Sequence, residues 1–154
     1  MKFRGWMLAL LVMGSTAALA QSGLVARAGD QYAPRLADIM NAAQIRHLKL
    51  YFAGRARNWP LAVFEARQLR ANLAEAATLY SDIPVSNMTT LASRLQSLDD
   101  AIEAKNSQKF TKAFVELTGG CNECHQSMER AFIVMGVPTD QPFSNQVFAP
   151  PGAR

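Results

Sequence analysis

Two cysteines and a histidine near the C-terminal end of the chain are the residues most suited to chemistry. Cys121 and Cys124, the only cysteines in the sequence, are separated by two residues, and His125 follows directly. Thiols at this spacing suit dithiol redox exchange, half of a zinc site, a structural disulfide, or covalent attachment of a haem.

Other features of the sequence favour haem attachment over the other three alternatives. A thioredoxin-like dithiol needs a βαβ context, and the chain shows no strand-like alternation. A structural zinc site needs about four protein ligands, and beyond the motif only the distant His47 is available. A disulfide would leave His125 without a role. C-x-x-C-H is the attachment motif of a c-type haem, in which two thiols add to the vinyl groups and the histidine ligates iron. We therefore predict one covalent haem c, with thioethers at Cys121 and Cys124 and His125 as the proximal iron ligand.

The first twenty residues have the pattern of a secretory signal peptide. Lys2 and Arg4 precede an apolar run over residues 6–12, and residues 18–20 read Ala-Leu-Ala, a typical cleavage site. The run is shorter than the roughly 20 residues of a membrane span. Residues 1–20 are predicted to be cleaved and the mature protein to be periplasmic, with an uncleaved N-terminal anchor as the alternative.

Charge and hydropathy bear on whether the mature chain binds nucleic acid or spans a membrane. The formal charge of +4 falls to 4 − 2 = +2 when Lys2 and Arg4 are removed, and no basic cluster carries interleaved aromatic residues. We therefore predict no nucleic-acid partner. No second apolar span follows residue 20, so we expect no transmembrane segment in the mature chain.

Apolar residues at spacings of three and four predict four amphipathic helices. The expected ranges are residues 34–56, residues from Asn58 to about 80, residues 88 to about 105, and residues from Asn106 or Ser107 to 132. Short joins between such helices favour an all-α, antiparallel four-helix bundle. The expected bundle domain covers residues 33–132, preceded by a lead-in over residues 21–32. An extended, Pro-rich C-terminal tail over residues 133–154 is expected to lie on the protein surface.

Two adjacent glycines precede the cysteines. Gly119 and Gly120 weaken the last helix by roughly 1 kcal/mol each relative to alanine. Either a bulky group approaches the backbone there, or the glycines mark a helix irregularity.

The signal peptide, the four helices and the C-N-E-C-H motif on the last helix together resemble the cytochrome c prime group of bundle cytochromes. Ordinary small cytochromes c carry the motif near the N-terminus instead. The resemblance covers about residues 33–132 and does not explain the tail. It implies that the early part of the first helix faces the open side of the haem, where low-spin relatives have a methionine ligand. Met40 stands at the matching place. The resemblance also implies that two copies can pair through their first two helices.

Helix length also indicates Met40 as the candidate sixth iron ligand. If the last helix ends near residue 132, His125 lies seven residues from its end, and Met40 is at the same distance from the start of the antiparallel first helix. His47 is on the same stripe but about 10 Å further along, at 1.5 Å per residue, and is the second candidate. The alternatives are a core methionine at position 40 and, at position 47, a histidine hydrogen-bonded in the bundle or to a haem propionate.

These observations predict an electron-transfer protein with an unidentified redox partner, and no catalytic residues or enzymatic activity. A haem without a sixth ligand would instead bind nitric oxide or carbon monoxide. A third hypothesis is that the protein is an accessory haem subunit that docks on a membrane oxidoreductase through the tail.

Overall fold

The computed structural model describes residues 33–153, and over this range the chain has four helices and no strand. They are α1 (Leu36–Arg55), α2 (Trp59–Leu79), α3 (Val85–Glu103) and α4 (Ser107–Ser127). Each helix packs against two others in the ring α1–α2–α3–α4–α1, which is the arrangement of a four-helix bundle. The predicted all-α fold class is confirmed. The predicted signal peptide and the lead-in over residues 21–32 lie outside the described residues.

Contacts between α1 and α4 give the relative direction of these two helices. His47 hydrogen-bonds to Thr118, and one turn further along α1 the ring of Tyr51 lies 4.9 Å from that of Phe114. The partners descend along α4 as they ascend along α1, which is the order of contacts in an antiparallel pair. The sum of the two residue numbers is 165 in both contacts, and this value defines the register between the helices.

Asparagine side chains begin two of the helices. Asn58 Oδ1 accepts a hydrogen bond from the backbone N–H of Leu61, and Pro60 follows in the first turn of α2. Asn106 Oδ1 accepts from the N–H groups of Gln108 and Lys109. Such caps satisfy backbone donors that have no partner inside the helix and contribute about 1 kcal/mol each. The predicted helix start at Asn58 is confirmed, and of the two predicted starts at Asn106 or Ser107 the structure has Asn106 as the cap.

Three helices end in the same turn without using glycine. Arg57, Lys105 and Glu129 have positive φ angles of 59°, 51° and 57°. After α4, the N–H of Arg130 bonds to the carbonyl of His125 at 2.7 Å, and the N–H of Glu129 bonds to that of Gln126. This is the Schellman pattern. The prediction that α4 continues to residue 132 is therefore wrong, because Glu129 adopts the left-handed conformation and turns the chain away after Ser127.

The core contains one unusually close approach between helices. A Cβ atom placed on Gly54 of α1 would lie 2.1 Å from Cζ of Phe110, so the Phe110 ring rests directly against the α1 backbone. Phe110 is fully buried, and the ring of Trp59 packs edge-on against it. Apolar residues at spacings of three and four on α3 are also buried: Leu91, Leu95, Leu98 and Ile102.

The C-terminal tail, described here for residues 133–153, is extended and lies on the bundle. The side chain of Phe148 is 7% exposed and packs against Phe52 of α1. Asn58 Nδ2 donates to the carbonyl of Ala149 at 3.3 Å. The ammonium group of Lys49 lies 4.8 Å from the centre of the Phe143 ring, within cation–π distance. The tail is therefore anchored near the join between α1 and α2.

Candidate functional site

The last two turns of α4 carry the two cysteines. Their spacing of three residues places Cys121 and Cys124 on the same side of the helix. Both thiols are free and partly buried, and both pack against the hydrophobic core. Asn87 of α3 donates through Nδ2 to Cys124 Sγ at 3.5 Å and to Ser127 Oγ at 2.6 Å, so α3 contributes a polar contact to this turn.

The surroundings of the thiols do not activate them. Burial raises the pKa of Cys121 to about 11, and burial also raises the pKa of Cys124. At neutral pH both sulfurs are therefore protonated thiols. Redox-active and metal-binding cysteines lie in environments that lower the pKa and favour the thiolate. The electrostatics of the site thus argue against dithiol exchange.

His125 is held in a defined tautomer by the loop that follows α4. Its Nδ1 atom lies 2.7 Å from the carbonyl oxygen of Ile133. A carbonyl oxygen only accepts hydrogen bonds, so Nδ1 carries the proton and donates. The lone pair of the neutral ring is then on Nε2. Metal-binding histidines have this arrangement, in which one nitrogen donates to a backbone carbonyl and the other ligates the metal.

The side chain of Asn122, between the two cysteines, binds the same loop. Its Nδ2 donates to the carbonyl of Met135 at 3.0 Å, and its Oδ1 accepts from the N–H of Met135 at 2.7 Å. Sequence reasoning did not single out Asn122. The ability of an amide to pair with both polar groups of one backbone residue is general, and nothing local to the motif indicates which residue it meets.

Of the two glycines before the cysteines, Gly120 allows the close approach of Arg94 from α3, whereas Gly119 makes only an ordinary contact with it. A Cβ atom on Gly120 would lie 2.8 Å from Nη1 and 2.9 Å from Cδ of Arg94. Arg94 Nη1 donates to the carbonyl of Glu116, and Nη2 donates to both carboxylate oxygens of Glu123, at 2.9 and 2.8 Å. The helix is continuous through Gly119 and Gly120. Of the two predicted explanations, a bulky group is correct, and that group is an arginine side chain.

The register observed at His47 and Thr118, if continued by two helical turns, pairs Met40 with His125. His47 contacts Thr118, and Met40 and His125 each lie seven residues from that pair, in the directions that an antiparallel packing requires. Seven residues are about two helical turns, so Met40 is on the same stripe as His47. Met40 is partly buried and packs against the core. Since α4 ends at Ser127 and not at residue 132, the helix-length basis for Met40 is wrong, and Met40 stays a prediction that rests on the α1–α4 register.

The structure places His47 in the bundle core, away from the cysteines. The side chain is 3% exposed, its Nε2 lies 2.9 Å from Thr118 Oγ1, and its ring packs 4.4 Å from that of Phe114. The Thr118 hydroxyl already donates to the carbonyl of Phe114, so His47 Nε2 must donate to the hydroxyl. This is the hydrogen-bonded core histidine that the sequence left as an alternative. The geometry favours it over iron ligation, since His47 lies two turns from the level of His125.

Burial of His47 predicts a pH-dependent stability. Desolvation lowers its pKa from 6.5 to about 4. As the pH falls below 6.5, His47 becomes protonated in the unfolded chain but stays neutral in the folded chain. The free energy of unfolding therefore decreases until the pH falls below the pKa of the folded state. We expect a loss of about 2 kcal/mol between pH 7 and pH 5. Urea titrations at both pH values should show it, and His47→Gln should abolish this part of the slope. An equal slope in both proteins would contradict the assignment.

Comparison of the chain with protein-family models, curated proteins and solved structures found no match. Among residues 33–153, no group of three or more His, Cys, Asp or Glu side chains is arranged to hold a metal ion. None of the helices in that range is long and apolar enough to span a bilayer. The fold and the site therefore define the class on their own: an all-α four-helix protein with a partly buried C-x-x-C-H turn at the end of its last helix.

Proposed function

We propose that the protein is an exported monohaem c-type cytochrome that transfers electrons. The observation that carries the proposal is the hydrogen bond from His125 Nδ1 to the carbonyl of Ile133, which leaves Nε2 free to act as a ligand. In a redox dithiol or a disulfide, the histidine after the second cysteine would need no such orientation.

The residues present fit a covalently attached haem. Cys121 and Cys124 are free thiols on one side of α4, in the protonated form that adds across a vinyl double bond. His125 would supply the proximal nitrogen, and Met40, on the facing helix α1, would supply a thioether sulfur. A haem bound in this way supplies an iron that alternates between the ferric and ferrous states.

Exposed apolar side chains close to the turn that carries the cysteines also support a haem at this site. Phe132 and Val134, on either side of the residue that accepts the His125 hydrogen bond, are 79% and 76% exposed, and Ile133 itself is 46% exposed. Exposed apolar residues that lie together mark surfaces that a ligand or a partner covers. A porphyrin and the edge of a redox partner are both groups of this kind.

Covalent haem is the direct test. The full-length protein, exported in a host that matures c-type cytochromes, should retain about one haem per chain after denaturation and acid–acetone extraction. Replacing Cys121 and Cys124 together with alanine should remove the covalent haem. Gln126→Ala, an exposed change next to His125, is the matched control and should retain it. Complete release of haem from the wild-type chain by acid–acetone would overturn the proposal.

A further inference from the structure

We propose that Asn122 is a positioning residue for the proximal histidine. Its amide holds the loop over residues 128–135 so that the carbonyl of Ile133 accepts the Nδ1 proton of His125. The inference rests on the proposed function, since the effect is on the histidine that would ligate iron.

The helix and the loop meet at two matched points. Asn122 and His125 are three residues apart on α4 and therefore lie on the same side of the helix. Their partners on the loop, Met135 and Ile133, are two residues apart, which in an extended segment places them on the same edge. His125 makes one hydrogen bond to Ile133, whereas Asn122 makes two to Met135. The two bonds from a single amide fix both the position and the orientation of the Met135 backbone.

Little else holds this segment. Phe132 and Val134 are mostly exposed, so their side chains contribute little packing. Within the loop, the N–H of Ile133 donates to the carbonyl of Arg130, which shapes the turn but does not attach it to the helix. The Asn122 amide is therefore the strongest link between α4 and the residues that follow the turn.

The consequence for the iron follows from the chemistry of imidazole. A hydrogen bond donated by Nδ1 raises the basicity of Nε2, and a more basic ligand favours the higher oxidation state of a metal. When the loop is released, the Ile133 carbonyl is no longer held on Nδ1. The imidazole would then be a weaker donor, and the reduction potential of an iron ligated by His125 would rise.

The experiment compares the haem-loaded protein with Asn122→Ala and with Gln126→Ala. Both variants remove a neutral amide from the same part of α4, and Gln126 is exposed, so the comparison holds charge constant. We expect haem in all three proteins and unchanged helical circular dichroism. The reduction potential should rise only in N122A, measured by optical redox titration. Hydrogen exchange of the His125 Nδ1 proton, followed by NMR, should be about tenfold faster in N122A, as expected for the loss of two hydrogen bonds.

Each outcome distinguishes the inference from the proposed function. With haem attached, equal potentials and equal exchange in N122A and Q126A would overturn the role of Asn122. If no haem attaches to the wild type, the proposed function fails, and exchange of the Met135 amide still tests the anchor: unchanged protection in N122A overturns it. Should N122A lose helical signal, Asn122→Asp is the second variant. It retains the acceptor but not the donor, so exchange at His125 should be intermediate, and a wild-type rate would count against the inference.

Discussion

Met40→Ala is expected to convert a low-spin haem protein into a high-spin one that binds carbon monoxide. The α1–α4 register, continued by two turns, predicts that Met40 is level with His125, and the Met40 side chain packs against the core. A thioether ligand keeps the iron six-coordinate, and alanine cannot reach it, so the variant iron has an open position. The optical spectrum of the reduced protein, before and after addition of carbon monoxide, measures both changes.

Met88→Ala is the matched control for this substitution. Met88 is also a partly buried methionine that packs against the core, but it belongs to α3. Its replacement should leave the spin state unchanged. A spin-state change in Met88→Ala in place of Met40→Ala would move the ligand to α3. A wild-type protein that is already high-spin would exclude a Met40 ligand and favour the binding of diatomic gases.

Gly54→Ala is expected to destabilise the fold by about 2 kcal/mol. A Cβ atom at this position would lie 2.1 to 2.6 Å from three atoms of the Phe110 ring, and that ring is fully buried. Either the ring or the helix must move, and overpacking a filled core commonly costs 1–3 kcal/mol or more. This exceeds the gain of about 1 kcal/mol that alanine brings inside a helix. Urea denaturation, monitored by circular dichroism, measures the net loss.

The chain offers a control and a rescue for this prediction. Gly119→Ala also adds a methyl group inside a helix, but its nearest neighbour is Arg94 Nη1 at 3.5 Å, an ordinary contact, so it should stabilise by up to about 1 kcal/mol. Phe110→Leu, combined with Gly54→Ala, should restore part of the lost stability by shortening the side chain. Strictly additive effects of the two substitutions would show that they do not share a contact.

Much of the fold could be predicted because its determinants are local. Apolar residues at helical spacing define the buried faces, and asparagines at positions 58 and 106 supply side-chain caps that any helix start can use. The end of α4 could not be predicted in the same way. It depends on Glu129 adopting a left-handed conformation, and a glutamate gives no local signal for that choice, whereas a glycine would.

The residues of the candidate site also differ in whether their roles depend on neighbours in the sequence or on distant partners. Cys121, Cys124 and His125 are recognisable because the chemistry they suit depends on adjacent residues. The roles of Asn122 and Arg94 depend on partners that are distant in sequence: Met135 for the first, Glu116 and Glu123 for the second. For that reason the sequence could indicate that the Gly119–Gly120 backbone allows a close approach, but it could not identify the side chain that uses it.

The two ends of the bundle differ in how tightly they are closed. At the end away from the cysteines, α1 joins α2 and α3 joins α4 through three residues each, and the tail covers the first of these joins. At the end with the cysteines, α2 and α3 are connected by the longer segment 80–84, and α4 continues into a loop with exposed apolar side chains. The short connections and the tail thus constrain the helices more at one end of the bundle than at the other. A group attached at the cysteines would therefore meet the end of the bundle where one helix connection is longer and α4 continues into an exposed loop.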